Sequence, residues 1–69
     1  MLTDNPQILC RLPAVIRRVS MSRSSIYAAI ARNEFPAPIK LGARSVAWVE
    51  SEISEFIDKR IAASRSVEK

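Results

Sequence analysis

The chain has 69 residues, of which 48% are hydrophobic and 26% charged, so it has room for one small domain and not for two independent cores. It contains no histidine and a single cysteine, which excludes an intrachain disulfide, a zinc site built from cysteine and histidine, and a catalytic triad or Cys–His dyad. Eleven lysines and arginines against seven aspartates and glutamates give a net charge of +4, which makes nucleic acid a candidate partner.

The first nine residues have no hydrophobic periodicity and are interrupted by Pro6, so residues 1–9 are predicted to form a flexible N-terminal arm. Because the arm contains Asp4 and lacks a basic start, we expect no signal peptide in it. The longest apolar run, residues 26–31, is too short to span a bilayer. We therefore expect a cytoplasmic, nucleoid-associated protein that does not bind membranes.

The first helix is predicted to begin at Leu12 or Pro13, because proline is tolerated in the first turn of a helix, and to end near Val19. Arg17 and Arg18 are expected to face outward, away from the apolar stripe. The stripe has the spacing i, i+3, i+4, i+7 and consists of Leu12, Val15, Ile16 and Val19.

A second helix is predicted over residues 23–32. Ser22 is the expected N-cap, because its hydroxyl can accept from the free N–H groups of the first turn. Ile26 and Ile30 lie four positions apart and are expected on the buried side. Asn33 is the expected stop, because asparagine tolerates the left-handed conformation at a helix end.

Residues 35–38 cannot be helical, because each proline forces the preceding residue into extended geometry. Residues 39–41 and 46–48 then alternate between apolar and other side chains around a loop that holds the only glycine, Gly42, and this pattern is typical of a β-hairpin. The predicted core-facing residues of the hairpin are Ile39, Leu41, Val46 and Trp48.

The last helix is predicted to run from Val49 or Glu50 to about Ala63, followed by a frayed tail over residues 64–69. Its predicted apolar stripe consists of Ile53, Phe56, Ile57 and Ile61. The order helix, turn, capped helix, two-stranded wing, helix is that of a winged helix-turn-helix, a mainly α fold with a small β-hairpin, which we assign to residues 10–63. We expect Phe35, Trp48 and Phe56 in its core and Cys10 as a small apolar filler.

The charges are unevenly placed along the chain. Residues 11–48 contain seven basic residues and one acid, a net charge of +6, whereas residues 49–58 contain four acids and no base, a net charge of −4. A polymer of phosphates would be attracted to the first segment and repelled by the second. Taken alone, such runs are more often simply the solvated faces of small helices, so this asymmetry favours nucleic acid only weakly.

The first turn of the second helix is the main predicted contact with DNA. A helix N-terminus offers free N–H groups, and short hydroxyl side chains can join them in binding phosphate oxygens. The helix can then enter the major groove, which is wide enough to admit it. The alternative for Tyr27 is packing beneath the hairpin, and for Ser22 it is helix capping alone. The candidate contacts in this helix are Ser22, Arg23, Ser24, Ser25 and Tyr27.

The tip of the hairpin is the second predicted contact, as a wing that lies on the backbone or in the minor groove. Lys40 and Arg44 flank a glycine that lets the backbone approach a phosphate closely. The alternative is that both cations only keep an edge strand soluble. Further candidate contacts with the DNA backbone are Arg17, Arg18 and Arg32.

Four motifs taken together carry a family resemblance: Arg11-Leu12-Pro13, Ser22-Arg23-Ser24-Ser25-Ile26-Tyr27, Glu34-Phe35-Pro36-Ala37-Pro38-Ile39-Lys40-Leu41-Gly42 and Val46-Ala47-Trp48. Over roughly residues 8–63 the chain resembles the AlpA family of prophage-associated transcriptional regulators, which have a MerR-like or excisionase-like winged helix-turn-helix. The resemblance implies site-specific DNA binding that activates or represses genes of a prophage or mobile element. Carried over by position, it places Ser22, Arg23, Ser25, Tyr27 and the adjoining Ala28 in the recognition helix, and Lys40, Arg44 and Ser45 in the wing.

The chain departs from the family pattern at four positions. Ser20 stands where a turn glycine is usual, which implies a slightly different or strained turn. Ala28 and Ala37 stand where basic residues are frequent, which implies weaker or differently specified DNA contact. Val49 occupies the expected cap position of the last helix, which a polar side chain would serve better.

Three functions fit the sequence. The leading hypothesis is a sequence-specific transcriptional regulator that binds double-stranded DNA and forms at most a weak homo-oligomer on it. On the same fold, an excisionase-like protein would bend DNA for recombination, and in a different class a protein-binding antirepressor or antitoxin module would use the acidic last helix. An enzyme is not expected, because no acid, base and nucleophile occur together. We expect no cofactor, metal or small-molecule effector.

Overall fold

The computed structural model describes residues 7–66, and within that range the chain forms three helices and three short strands. This is the predicted mainly helical winged helix-turn-helix with a small hairpin. In chain order the elements are β1 (Leu9–Cys10), α1 (Leu12–Val19), α2 (Arg23–Ala31), β2 (Ile39–Lys40), β3 (Val46–Val49) and α3 (Glu50–Ser66).

Helix α1 has the predicted bounds and the predicted inner face. Val15 is fully buried, and the other members of the apolar stripe are partly buried against the core. The helix ends at Ser20, which has a φ of 56° and donates its backbone N–H to the carbonyl of Ile16 at 2.9 Å. Since this is the left-handed conformation that favours glycine, serine is held there at a steric cost, as its departure from the family pattern implied.

Helix α2 is capped as predicted. The hydroxyl of Ser22 accepts from the backbone N–H of Ser25 at 3.1 Å, which satisfies one free donor of the first turn. Ile26 is fully buried and Ile30 partly buried. Asn33 has a φ of 61°, which confirms the predicted left-handed stop.

The sheet has a third strand that the sequence did not predict. Its order is β1-β3-β2, with Leu9 opposite Val49 and Cys10 opposite Trp48. The backbone N–H of Glu50 also donates to the carbonyl of Ile8 at 2.7 Å. The prediction of a flexible arm is therefore wrong at Leu9, which belongs to β1. The strand was missed because a pairing of only two residues produces no detectable alternation of side chains in the sequence. Residues 1–6 of that arm lie outside the described residues.

The predicted inward orientation of two wing side chains is wrong. Ile39 is 44% exposed because β2 is an edge strand that the helices cover only in part, and Leu41, in the loop that follows β2, is 50% exposed. Ala47, expected to face outward, is instead fully buried, because β3 is the central strand and both of its faces are covered. Lys40 lies opposite Val46, so the two side chains leave the hairpin on the same face.

The core is centred on Trp48, which is fully buried as predicted. Its indole Nε1–H donates to the carbonyl of Pro36 at 3.0 Å, so burying the ring leaves no unpaired donor. Phe35 is buried and meets the partly buried Phe56 edge to face, with ring centres 4.6 Å apart. Cys10 is buried in the same cluster, as expected of an apolar filler.

Helix α3 begins at Glu50, as predicted, and continues three residues past the predicted end. Ile53 is fully buried, but Ile61 is 43% exposed, so the buried part of the predicted stripe ends at Ile57. Of the predicted frayed tail, residues 64–66 are helical and residues 67–69 lie outside the described residues. Between residues 7 and 66, no helix combines the length and the hydrophobicity that crossing a membrane requires.

Candidate nucleic-acid interface

Three elements enclose a cleft of about 500 Å³: the start of α1, the first turns of α2 and the β2–β3 hairpin. We call it the cationic cleft, because its lining includes Arg11, Arg23 and Arg44 together with Tyr27 and Val46. Each arginine comes from a different element, and none of the described residues that line the cleft is acidic. The fold thus gathers three positive charges that are far apart in the sequence.

The three cleft arginines form no ion pair with any described residue. A guanidinium carries its charge at every physiological pH and offers planar donors that match phosphate oxygens. Since no carboxylate among residues 7–66 pairs with these charges, the cleft presents a positive potential to an anionic ligand.

Tyr27 is both packed and accessible. Its ring meets the buried Trp48 edge to face, with ring centres 6.2 Å apart, so the core fixes its position. The side chain is nevertheless 38% exposed, and the guanidinium carbon of Arg23 lies 6.0 Å from its ring centre. Tyr27 thus combines the packing that the alternative interpretation expected with an exposed part that remains accessible to a ligand.

The rest of the first turns of α2 is open to solvent. Ser22, Ser24, Ser25 and Ala28 are all exposed. The hydroxyl of Ser22 donates to that of Ser25 at 3.0 Å, in addition to capping the helix. The side chains of Ser24 and Ala28 form no hydrogen bond with any described residue, so this face of α2 can approach a large ligand.

The wing is closed at its tip by backbone hydrogen bonds. The carbonyl of Ser45, whose side chain is half-buried, accepts from the N–H groups of Leu41 at 2.7 Å and Gly42 at 3.3 Å. Lys40 and Arg44 are both exposed, but only Arg44 lines the cationic cleft. Gly42 does not have a positive φ, and a Cβ added there would meet no atom within 4 Å, so the fold itself does not require glycine.

The remaining predicted cations lie away from the cleft. Arg17 is exposed and makes no ion pair with the described residues. Arg18 donates to the hydroxyl of Ser54 at 3.0 Å and lies 3.6 Å from a carboxylate oxygen of Glu50, so it ties α1 to α3. The exposed Arg32 is paired with Glu34 at 3.1 Å.

Arg11 is the cleft residue that the sequence did not single out. It is the N-cap residue of α1, and its side chain makes no capping hydrogen bond. Its place beside the wing follows from the pairing of β1 with β3, which carries the chain past the hairpin into α1. Without that strand, the available signals were its membership of the basic segment and its place in the Arg11-Leu12-Pro13 motif, and neither indicates a position beside the wing.

The acidic side of the molecule is separate from the cleft. Glu52, Glu55 and Asp58 are exposed on α3, and two of them border a groove of about 550 Å³ that also contains Phe56 and Ile39. Within residues 7–66, no three acidic, cysteine or histidine side chains are grouped closely enough to hold a metal ion.

Comparison with known proteins assigns the chain to a family. The family model described as prophage CP4-57 regulatory protein (AlpA) matches residues 8–61. An uncharacterised protein of Enterobacteria phage P4, ORF88, is 40% identical over 55 residues, which are 80% of this chain but only 62% of the phage protein. A DNA-binding transcriptional activator of Escherichia coli K12, AlpA, is 38% identical over 58 residues, covering 75% of this chain and 83% of the relative. The chain therefore belongs to the AlpA family of prophage regulatory proteins.

Proposed function

We propose that this chain is a sequence-specific DNA-binding transcriptional regulator of a prophage or mobile element. Helix α2 enters the major groove, and the β2–β3 wing lies on the backbone or in the minor groove. The observation that carries this proposal is the cationic cleft, where three arginines from three elements, none of them ion-paired with a described residue, adjoin the open first turns of α2.

The chemistry of the cleft suits the backbone of a duplex. Arg11, Arg23 and Arg44 supply charge-assisted donors for phosphate oxygens, which fix a protein's register on DNA without reading its sequence. The base edges are then contacted by the α2 side chains that can reach into the major groove, namely Ser24, Tyr27 and the small Ala28. The acids of α3 lie on a separate surface and do not compete for the backbone.

The family supports the same function. The relative from E. coli is described as a DNA-binding transcriptional activator, and its match covers most of both chains. We accordingly propose double-stranded DNA as the partner, in the cytoplasm and at the nucleoid. A single recognition helix with one wing provides limited contact area, so weak homo-oligomers on neighbouring half-sites complete the binding. No cofactor, small-molecule effector or catalytic activity is part of this proposal.

A salt titration tests the proposal. With about four to six phosphate contacts, log K for duplex DNA should fall against log salt with a slope of roughly −4 to −5. Arg44→Ala should weaken binding to all sequences and flatten the slope by about one unit. The matched control is Arg65→Ala, which removes the same charge from the exposed end of α3 and should leave the slope unchanged.

Fluorescence anisotropy of DNA from the chain's own gene neighbourhood, compared with random duplex, supplies the measurement. An affinity near zero for both at low salt would contradict the proposal. That result would instead favour the protein-binding alternative, in which the groove bordered by Glu52, Glu55 and Phe56 holds a protein partner.

A further inference from the structure

We infer that Leu41 is an apolar wedge that enters a base step from the minor groove and bends the DNA. The inference rests on the proposed DNA-binding function and specifies what the wing does there. It starts from the exposure of Leu41, which the alternation of the hairpin predicted to face the core and which is 50% exposed.

The loop between the two wing strands is residues 41–45; we call its first three residues, 41–43, the wing tip, and the polar Arg44 and Ser45 complete the loop. Leu41, Gly42 and Ala43 are all exposed, and none has a polar side chain. Exposed turns are ordinarily rich in Asn, Asp and Ser, whose side chains bond the local backbone. The exposed Ile39 is a different case, because it lines the groove beside Phe56 and not the tip.

The tip is held in a fixed shape. The carbonyl of Ser45 accepts two hydrogen bonds from the opposite side of the loop, from the N–H groups of Leu41 and Gly42. An ordered turn presents its leading side chain at little further entropic cost on binding. Gly42 projects nothing into open space, which leaves room for a backbone or sugar to approach beside Leu41.

The tip is continuous with the cationic cleft. Ala43 and Arg44 both line the cleft and Leu41 does not, so DNA that contacts Arg44 lies beside the loop that carries Leu41. Lys40 and Arg44 flank the tip in sequence and are exposed, which suits the phosphates on either side of a narrow groove. Minor-groove proteins commonly combine such cations with an inserted Leu, Ile, Met or Phe that unstacks a base step and kinks the duplex.

Bending of a bound duplex is the property that tests this inference. The probe is a 40-base-pair duplex selected from random sequence by binding to the wild-type protein, labelled at its two ends for energy transfer. Leu41→Ala removes the wedge, and Leu41→Met keeps a long apolar side chain. Ile61→Ala is the matched control, because it truncates a similarly exposed aliphatic residue on α3.

Wild-type protein should bend the probe by at least about 20°. Leu41→Ala should lose more than half of that bend. Its affinity for the probe should fall by less than about tenfold, and its salt slope should equal that of the wild type, because no phosphate contact is lost. Leu41→Met and Ile61→Ala should both bend the probe as much as the wild type does.

A probe that is bound but straight, or bent equally by Leu41→Ala, would overturn the inference and leave the proposed function standing. Loss of cooperativity without loss of bending would also overturn it, because Leu41 would then contact a second protein copy. No binding of duplex by the wild type would overturn both.

Discussion

Trp48→Ala is expected to lower the free energy of unfolding by about 3–5 kcal/mol, the usual cost of truncating a buried aromatic side chain to alanine. Trp48 is fully buried, contacts Tyr27 edge to face and donates to the Pro36 carbonyl. A domain of this length is expected to have only about 3–10 kcal/mol of stability in total, so about a third or more of it would be lost. Urea denaturation followed by far-ultraviolet circular dichroism measures this, since the substitution removes the only tryptophan.

Two companion variants separate the causes of that loss. Trp48→Phe keeps an aromatic ring but leaves the Pro36 carbonyl without its donor, and should cost less than the alanine variant. Leu41→Ala truncates a side chain that is already half exposed and should change stability by less than about 0.5 kcal/mol. Retention of near wild-type stability by Trp48→Ala would show that the core is not centred on this ring.

The triple variant Arg11→Gln, Arg23→Gln, Arg44→Gln is expected to weaken DNA binding by about 10² to 10³-fold at 0.1 M salt. Each lost phosphate contact removes about 0.9 from the slope of log K against log salt, which corresponds to about tenfold in affinity at that concentration. Glutamine keeps part of each side chain's aliphatic stem, so the fold should be retained. Anisotropy titrations over a range of salt concentrations give both quantities.

An equal change of net charge elsewhere is the control for this variant. Lys59→Gln, Arg60→Gln, Arg65→Gln removes three positive charges from the exposed end of α3. If the cationic cleft holds the backbone, this control should keep nearly all of the affinity and slope. Equal losses from the two triple variants would mean that only overall charge attracts the DNA and that the cleft has no special role.

The helices could be predicted from the sequence because their signals are local. Ser22 caps α2 through atoms three residues apart, Asn33 takes the left-handed conformation that its side chain tolerates, and the i, i+3, i+4 spacing of α1 marks its buried face. Such signals depend on neighbours along the chain and not on tertiary contacts. The winged helix-turn-helix followed from the order of these elements.

What the sequence could not provide depends on tertiary placement. Strand β1 is only two residues long, so it can be recognised only from its pairing with β3. Because the sequence did not predict this strand, it also did not predict that Arg11 lies beside the wing. The sequence alternates along residues 39–41, but β2 is an edge strand that the helices cover only in part and the loop after it is open, so Ile39 and Leu41 remain exposed. Likewise, the outward-facing Arg18 finds Glu50 and Ser54 only once α3 is packed against α1.

The most direct test of the proposed interface is a titration of ¹⁵N-labelled protein with duplex DNA, followed residue by residue in amide correlation spectra. The cationic cleft predicts the largest shifts and broadening at Arg11, along the first turns of α2 and at residues 41–44. The amides around Glu52, Glu55 and Asp58 on α3 should remain nearly unchanged. Perturbations concentrated on α3, with Arg11, Arg23 and Arg44 unaffected, would contradict the placement of DNA on this face.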